Sequence, residues 1–451
     1  MKPEIKIMPG KLPEFWDRNV LFFCNMQSIF FGNKEETEQL VSQIYGAHSY
    51  GTRVMSILNL LFRRGPNKIF LEAPPEPNLL DYLSGYLGLS LPSFELLSHR
   101  VYQELAAKLE AQREAELEPE IEQLKAHPAE WVDGYVTDPV LVEIARRLHK
   151  QPISTSAGSK NGNNKYLLHR HQMDRQLPVF ETFVAAHPRE LPSCLENLRR
   201  AGYRKAVVKA QIGASGLGMI KLFTDAAQAT SVPEYLFFEG PCLVQGWLDE
   251  SVSGVERVGS PSVQMFLDDT TISLFDWTEQ ILSDESVHEG NVSPPPYVSG
   301  QPELEAEIFR QAGIAGAWLH AQGYRGTAST DFLVVSAAGV PRVYICEINA
   351  RVTGATYPSV LARRFMSKGC WSMRNIQFRN AFAGDQLLSL MDRAAVLYRP
   401  GDEKGIIPFN FNIDAYGKVI KGQFLCLAEN LEACSGLLNR ARTELPVEWG
   451  L

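Results

Sequence analysis

Short apolar runs that alternate with helix-like stretches make up the first third of the chain. Asn19–Cys24 (NVLFFC) and Lys68–Glu72 (KIFLE) have the length and composition of buried strands. The stretches Glu35–Tyr45, Arg53–Arg63 and Pro139–Leu148 are predicted to be helices. Strands that alternate with helices favour a parallel, Rossmann-like sheet in this part of the chain.

The segment Ser154–Asn164 (STSAGSKNGNN) is the clearest break in this pattern. Its serine, glycine and asparagine content is typical of flexible backbone, so the sequence predicts a loop and a domain junction here. A smaller α+β block follows, and then a larger strand-rich block. We therefore expect an N-terminal α/β domain at 1–155, a small subdomain at 156–238 and a large subdomain at 239–451.

The composition fits a globular protein of two or three domains. The chain has 451 residues, of which 45% are hydrophobic and 21% are charged, and it is too long for one compact core. Its net charge of −8 argues against nucleic acid or an anionic membrane surface as the main partner. A local basic pocket for phosphates is still compatible with this charge.

Three features of the sequence predict a cytoplasmic protein. The apolar run Asn19–Phe31 is shorter than the roughly 20 residues of a membrane-spanning helix. Met1–Trp16 mixes charges with prolines and lacks the apolar core of a signal peptide. The seven cysteines show no Cys-x-x-Cys spacing, which favours reduced thiols.

A glycine-rich turn joins two short apolar strands in the segment AVVKAQIGASGLGMIKL. The first strand ends in Lys209, and Gly213, Gly216 and Gly218 permit backbone conformations in which amide groups converge on an anion. The segment is not a P-loop, since Gly-Lys-Ser/Thr is absent and no helix follows directly. A phosphate-binding loop and an ordinary glycine-rich hairpin both stay open at this point.

A second constellation lies on a predicted strand pair, TDFLVV and VYICEI. Glu347, Asn349 and Arg351 alternate along the second strand and its continuation, so they project to one face. Asp331 on the neighbouring strand can face the same way. Carboxylate and amide oxygens on one sheet face suit Mg²⁺, whereas the alternative is a polar, solvent-facing side of a sheet.

These motifs, in this order, resemble the ATP-grasp superfamily over about residues 160–365. That family has a lysine entering the small subdomain, a second lysine before a mobile glycine loop, an adenine-binding hinge, and an acidic residue followed by a Glu-x-Asn-x-Arg strand. The resemblance implies the ATP-grasp fold and the binding of MgATP. The residues that it assigns to the nucleotide are Lys165, Lys209, Gly213, Ser215, Gly216, Gly218, Gln245, Trp247 and Leu248.

The same resemblance implies a metal and catalytic set. The magnesium ligands that it assigns are Asp331, Glu347 and Asn349, and its catalytic residues are Arg351 and Lys209. In the hinge, the family usually has a glutamate where this chain has a glutamine. The carbonyl oxygen of that glutamine can still accept a hydrogen bond from the adenine amino group.

A narrower similarity extends over almost the whole chain. The segments SYGTRVMSILNLLFR, SPSVQM, WTEQIL and EINARVTGATYP resemble proteins with a pre-ATP-grasp N-terminal domain, such as the peptide ligase of pheganomycin biosynthesis. Members of that group typically carry Gly-Gly-Thr-Thr-His-Pro after the arginine, where this chain has Thr353–Pro358 (TGATYP). The N-terminal α/β region is therefore expected to be a Rossmann-like pre-ATP-grasp domain.

The function that the resemblance implies is ADP-forming ligation of a small-molecule carboxylate to an amine. The carboxylate would be activated by ATP as an acyl phosphate, and an amino acid or short peptide would supply the amine. Homodimers are common in the superfamily. Two alternatives stay open: an ATP-grasp enzyme with another phosphoryl or acyl acceptor, and a non-catalytic ATP-binding regulator.

Polar residues outside these motifs are weaker candidates for substrate contact. Glu279, Gln280 and Asn291 belong to the block that would surround the acyl-phosphate pocket. Arg363 and Arg364 follow the catalytic strand and can clamp a substrate carboxylate. The alternative for these two arginines is a solvated helix face.

Overall fold

The computed structural model describes residues 2–43, 47–112, 119–214, 216–225, 232–283, 287–298, 300–445 and 447–449. These residues form mixed α/β structure built on three sheets. Among them, no helix is long and apolar enough to span a bilayer.

A parallel five-stranded sheet forms the centre of the N-terminal part. Its strands, in spatial order, are Ser93–Leu96, Lys68–Leu71, Val20–Phe23, Trp131–Gly134 and Gln151–Pro152. The α-helices of this part are Lys34–Gln43, Leu58–Leu61, Pro77–Asp81, His99–Glu110, Pro119–Glu122 and Pro139–Arg147. The central strand is buried at every position, as is typical of a parallel sheet covered on both faces.

The helix expected at Arg53–Arg63 has a different form. A 3₁₀ helix spans Ala47–Ser56, and only Leu58–Leu61 is α-helical. Residues on both pieces, Val54 and Leu58 among them, are fully buried in a core shared with the large sheet. Tertiary packing therefore determines the backbone conformation of this segment, so the local sequence pattern does not predict that conformation.

An antiparallel four-stranded sheet follows. Its strands, in spatial order, are Thr182–Ala185, Cys242–Gly246, Lys205–Lys209 and Met219–Phe223. The α-helices around it are Ser156–Gly162, Lys165–Asp174 and Leu191–Arg200. The second strand of this sheet lies beyond residue 238, where the sequence places the end of the small subdomain. The division into domains stays a prediction.

The third sheet has eleven strands. Eight of them follow the order Val255–Gly259, Gly326–Ala337, Pro261–Leu267, Thr271–Ser283, Val287–Ser293, Cys370–Phe382, Val419–Ala428 and Gly405–Ile413. The other three strands each pair with one member of this series. Glu4–Ile7 pairs with Thr271–Ser283, Val340–Asn349 with Gly326–Ala337, and Val447–Trp449 with Cys370–Phe382. The accompanying α-helices are Pro302–Ala321, Thr356–Phe365, Gly384–Arg393 and Leu431–Glu444.

Two hydrophobic cores position the large sheet. One lies under helix Pro302–Ala321, where Ile308 and Leu319 pack with strand residues such as Met265. The other joins the N-terminal part to the far end of the large sheet, and it contains Tyr82 together with Trp371. Because the second core crosses between the two parts, the N-terminal part is packed directly against the large sheet.

The loop expected at Ser154–Asn164 is wrong, because Ser156–Gly162 forms a helix. The helix begins after Thr155, whose Oγ1 accepts a hydrogen bond from the Gly158 amide at 2.9 Å. A Cβ at Gly162 would lie 2.4 Å from a Leu319 methyl carbon. Gly162 therefore allows the helix to pack closely against Leu319. Amino-acid composition alone does not distinguish a glycine of this kind from one in a flexible loop.

Candidate nucleotide and metal site

Three oxygen-bearing side chains lie together on adjacent antiparallel strands of the large sheet. Asp331 and Glu347 are direct cross-strand partners, and Ser329 pairs in the same way with Asn349. The two pairs share one face because side chains alternate along a strand. Asn349 Nδ2 donates to Asp331 Oδ2 at 2.9 Å. The structure thus brings together the three expected magnesium ligands.

The environments of the two carboxylates push their pKa values apart. Burial and the nearby charge of Glu347 raise the pKa of Asp331 to about 6. Burial also acts to raise the pKa of Glu347, but the charges of Lys165, Arg351 and Lys209 together outweigh it and the net shift is downward. The Lys165 ammonium lies 2.9 Å from Glu347 Oε2. These cations therefore favour the ionised form of Glu347.

Lys165 reaches this face from the start of helix Lys165–Asp174. Asn164 caps the helix by accepting from the Leu167 amide at 2.9 Å, and its Nδ2 donates to Gln211 Oε1 at 2.7 Å. The Lys165 ammonium also lies 3.5 Å from the carbonyl oxygen of Gly213. It therefore contacts both the glycine-rich hairpin and the acidic face.

Lys209 and Gln245 share one face of the four-stranded sheet. Leu243 pairs with Lys209 and Gln245 pairs with Val207, which places these four residues on the same side. The opposite side carries the apolar core of this sheet. Lys209 is half-buried, and burial lowers the pKa of its ammonium, while Glu347 acts in the opposite direction. Lys209 is therefore electrostatically coupled to the acidic face.

The glycine-rich hairpin contains positions that only glycine occupies easily. Gly216 and Gly218 have φ of 83° and 73°, in the left-handed region. The φ of Gly213 lies outside that region. A Cβ at Gly213 would instead lie 2.6 Å from the Leu217 carbonyl oxygen, so it is a point of close approach. Ser215 lies outside the described residues.

Comparison with known proteins finds similarity at two levels. No protein-family model matches the chain. It is 25% identical over 304 residues to the [butirosin acyl-carrier protein]–L-glutamate ligase of Niallia circulans. The match covers 66% of this chain and 64% of that protein. The chain thus spans less than two thirds of the length of that curated relative.

Solved structures share the arrangement of the whole chain. N5-carboxyaminoimidazole synthase of Aspergillus clavatus, solved with ADP and 5-aminoimidazole ribonucleotide, superposes with a TM-score of 0.56 at 13% identity. This match covers 95% of this chain and 99% of that one. An ATP-analogue complex of biotin carboxylase from Campylobacter jejuni gives 0.57 at 11% identity, covering 96% and 92%. The chain has the ATP-grasp fold.

The segment predicted to be the adenine-binding hinge is strand Cys242–Gly246 and the two residues after it. Gln245 is buried, and its Nε2 donates to Thr182 Oγ1 at 3.1 Å, so its carbonyl oxygen is left as the acceptor. The amide of Trp247 already donates to the Lys205 carbonyl at 3.0 Å. If adenine binds here, the backbone of Leu248 and the carbonyl of Trp247 are the groups available to it, and this role stays a prediction.

The donor set of the acidic face suits a hard cation held jointly with phosphates. Within the described part of the chain, no cluster of three or more histidine, cysteine or acidic side chains is placed to hold a metal ion. The site instead offers two carboxylates and one amide oxygen. Mg²⁺ is commonly bound by one or two carboxylates and completed by substrate phosphates and water. The residues present fit that ion.

Arg351 is half-buried directly after strand Val340–Asn349. Burial lowers its pKa, and the charges of Glu347 and Asp331 act against that shift. Its Nη1 donates to Asn163 Oδ1, which also accepts from the Ala350 amide at 3.2 Å. Asn163 therefore orients Arg351. Asn163 was not recognised from the sequence, because it lies in Ser154–Asn164, which was predicted to be a loop.

Gln264 was also missed, although it links both sides of the site. It is fully buried, and its Nε2 donates to Ser262 Oγ at 3.0 Å, while Ser262 donates to Asp331 at 2.6 Å. Its Oε1 accepts from Thr353 and Thr356 at 3.3 and 3.2 Å. One amide thus fixes the acidic strand and the segment after Arg351. The sequence feature that could have identified Gln264 is its position in SPSVQM, one of the segments that carry the narrower family resemblance.

The structure rejects Arg363 as a substrate clamp. Its guanidinium pairs with Asp276 at 2.9 Å, and their side chains are 6% and 0% exposed. Arg364 is exposed, as a solvated helix face requires. Cys346 lies beside Glu347, and burial raises the pKa of its thiol to about 12, so the group stays protonated.

The other weak candidates are held by neighbouring protein groups. Glu279 accepts hydrogen bonds from the Ser260 amide and the Tyr297 hydroxyl at 2.7 and 2.8 Å. Asn291 is buried, and its Oδ1 lies 2.7 Å from His288 Nε2. Gln280 is half-buried on the strand that pairs with Asn291. Substrate contact by these three residues stays a prediction.

Proposed function

We propose that this protein is an ADP-forming carboxylate–amine ligase that uses MgATP to make an amide or peptide bond. The observation that carries the proposal is the 2.9 Å contact between Lys165 and Glu347, next to the paired Asp331. A lysine ammonium and carboxylate oxygens thus lie together, which supports joint binding of phosphates and a metal ion there. The similarity to a relative named as a ligase supports the same reaction class.

The proposed nucleotide site uses both sheets. The phosphates would contact Lys165 and Lys209, and the glycine-rich hairpin would cover them. The residues proposed for this cover and for adenine are Gly213, Ser215, Gly216, Gly218, Gln245, Trp247 and Leu248. Asp331, Glu347 and Asn349 would hold Mg²⁺, which supplies positive charge to the phosphates when it is bound.

The proposed reaction has two transfers. A carboxylate oxygen of the substrate attacks the γ-phosphorus of ATP, the bond to the bridging oxygen breaks, and ADP leaves. The amine then attacks the carbonyl carbon of the acyl phosphate, inorganic phosphate leaves, and the nitrogen loses a proton. Arg351 would stabilise the negative charge of the acyl phosphate, and no protein nucleophile is needed. Closure of the hairpin would exclude water.

We propose an amino acid or a short peptide as the source of the amine. The curated relative is named for L-glutamate and an acyl-carrier protein, and one solved neighbour holds an aminoimidazole ribonucleotide. An amino acid is thus named for that relative, and a protein of the same fold binds a compound with an amino group. Pools of amino acids and dipeptides are therefore the first substrates to assay.

The test measures ADP, AMP and inorganic phosphate after incubation with MgATP and these pools. We expect substrate-dependent ADP and phosphate, and a decrease of roughly 100-fold or more in Lys209→Ala and Glu347→Gln, because each removes charge stabilisation at the reacting phosphate. Arg364→Gln, an exposed change, is the matched control. AMP and pyrophosphate as products would contradict the acyl-phosphate route. Nucleotide binding without turnover in any pool would favour the non-catalytic regulator.

A further inference from the structure

Arg53 is a buried arginine whose side chain lacks a counter-ion in the described ranges. The residue is 5% exposed. Its Nε and Nη2 atoms are buried and contact no hydrogen-bond acceptor among the residues that the structure describes. Leaving such donors unsatisfied is costly. A buried guanidinium with two open donors therefore points to a partner that comes from outside the chain.

The two open donors lie on one edge of the guanidinium. Nε–H and the adjacent N–H of Nη2 are parallel in the planar group, and their spacing matches the two oxygens of a carboxylate. The face of the same guanidinium stacks on the ring of Tyr50, with 3.2 Å from Cζ to the ring centre. The stacking fixes the plane in which Arg53 presents its open edge.

The surroundings of Arg53 carry little negative charge. Burial, aided by the charge of Arg53, lowers the pKa of His288, so its imidazole is neutral. Burial raises the pKa of Tyr357, against the effect of Arg53, and that phenol is neutral as well. The nearby carboxylate of Glu289 lies 3.8 Å from the Arg374 guanidinium. Burial acts to raise the pKa of Tyr50, but Arg53 lowers it by its charge and by a side-chain hydrogen bond. The donors that Arg53 leaves for a ligand are therefore Nε and Nη2, which have no acceptor among the described residues.

Arg53 lies beside the segment that follows Arg351. Both arginines act electrostatically on the phenol of Tyr357. A Cβ at Gly354 would lie 3.4 Å from His288 Cε1, so the imidazole borders the same segment. Tyr50, His288 and Gly354 are all partly exposed. These partly exposed neighbours lie next to the segment that follows Arg351, so a ligand bound at the proposed site of acyl transfer would lie near Arg53.

We propose that the Nε/Nη2 edge of Arg53 binds a substrate carboxylate that does not itself react. This inference rests on the proposed ligase function and names one recognition group within its substrates. Two sources of that carboxylate share the chemistry. It is either the α-carboxylate of the amino acid that supplies the amine or the second carboxylate of a dicarboxylic acid substrate.

The test is calorimetric binding of matched probes to the full-length protein, saturated with Mg²⁺ and a non-hydrolysable ATP analogue. Each L-amino acid is compared with its α-amide, and aspartate and glutamate are compared with asparagine and glutamine. The proteins are wild type, Arg53→Gln, Arg53→Lys and the exposed control Arg364→Gln. Nucleotide affinity and melting temperature show whether each variant is folded.

In wild type we expect at least one acid to bind roughly 10- to 100-fold more tightly than its matched amide, which is the range for a charge-assisted contact. Arg53→Gln should abolish this preference while amide binding is unchanged. Arg53→Lys should restore part of it, because the charge stays but the paired donors are lost. A preference in the α-amide series identifies the first source, and a preference in the side-chain series identifies the second.

Three outcomes would overturn the assignment. They are equal binding of acid and amide to wild type, an undiminished preference in Arg53→Gln, or no measurable binding of any carboxylate probe. Weaker nucleotide binding in Arg53→Gln with an unchanged acid preference would assign Arg53 to the phosphates instead. Because the readout is binding, it stays informative even if ADP formation fails and the ligase function is rejected.

Discussion

The buried pair of Arg363 and Asp276 predicts that Arg363→Met strongly destabilises the large sheet. Arg363 Nη2 lies 2.9 Å from Asp276 Oδ1 and 2.9 Å from Ser293 Oγ. Its Nη1 donates to the Gly369 carbonyl at 3.1 Å. Asp276 would keep the Trp371 indole donor at 3.0 Å, but its charge would have no counter-ion in contact. Methionine fills most of the volume of arginine, so the expected loss is mainly electrostatic.

The expected size of this loss follows from burial. Removing one partner of a fully buried ion pair costs about 3–5 kcal/mol of unfolding free energy, because the remaining charge stays out of water. The side chain of Asp276 is 0% exposed, which places the pair in that class. Arg364→Met, at the exposed neighbour, should change the unfolding free energy by less than about 0.5 kcal/mol.

The assay combines urea unfolding, followed by fluorescence, with steady-state kinetics on any substrate found. Arg363→Met should lower the urea midpoint and leave KM unchanged. The double change Arg363→Met with Asp276→Leu should recover much of the loss, since it removes both charges. If Arg363→Met unfolds at the wild-type midpoint but raises KM strongly, the structural interpretation is refuted and Arg363 contacts substrate after all.

Two further predictions concern the hairpin and a neighbouring carboxyl group. Burial and the charge of Glu239 raise the pKa of Glu36 to about 7, against the effect of Lys165. Because the folded pKa lies above the unfolded value, Glu36 makes the folded state lose stability as pH rises from about 4.5 to about 7. Urea unfolding should therefore show Glu36→Gln more stable than wild type by about 2 kcal/mol at pH 8 and equal to it near pH 4, and equal midpoints at pH 8 would contradict this. Gly218→Ala should raise KM for ATP roughly 5- to 30-fold, because its φ is 73° and a Cβ would lie 2.8 Å from Glu36 Oε1. Gly216→Ala, which has open space, is its control in the kinetic assay, and an equal effect of both changes would exclude the contact with Glu36.

The arrangement of the acidic face could be predicted because its pattern is local. The alternation of Glu347 and Asn349 along one strand fixes their common face, whatever the rest of the fold does. The partner strand carries Asp331 within a short hairpin, so their register is also nearly local. ATP-grasp topology then followed from the order of the motifs. The roles of these residues in binding and catalysis stay predictions.

The residues that sequence reasoning missed act through contacts between distant segments. Gln264 reaches Thr353 and Thr356, and Asn163 reaches Arg351. Neither residue type nor spacing reveals such partners. Arg363 shows the same problem in reverse, since its position near the catalytic strand suggested substrate contact. Its true partner lies on another strand far away in sequence.

The loop wrongly expected at 154–164 has a related cause. Glycine, serine and asparagine occur both in flexible segments and in helices that pack closely. The conformation of such a segment depends on the side chains that pack against it, and the side chains of Leu319 and Ala350 pack against Gly162. Composition gives the conformations that a segment can adopt, whereas the packing partner selects one of them.

The pairing of strand Glu4–Ile7 affects the folding of this protein during synthesis and the behaviour of truncated versions of it. It pairs in parallel with Thr271–Leu274, although most of the chain between them folds into the other two sheets. On the ribosome, the early strand would wait roughly 15 to 50 s for its partner at usual elongation rates. A shortened protein that starts after this strand would leave one edge of Thr271–Leu274 open to pairing with other chains. Expression of the large sheet in soluble form therefore calls for this distant strand to be supplied, either in the same chain or as a separate peptide.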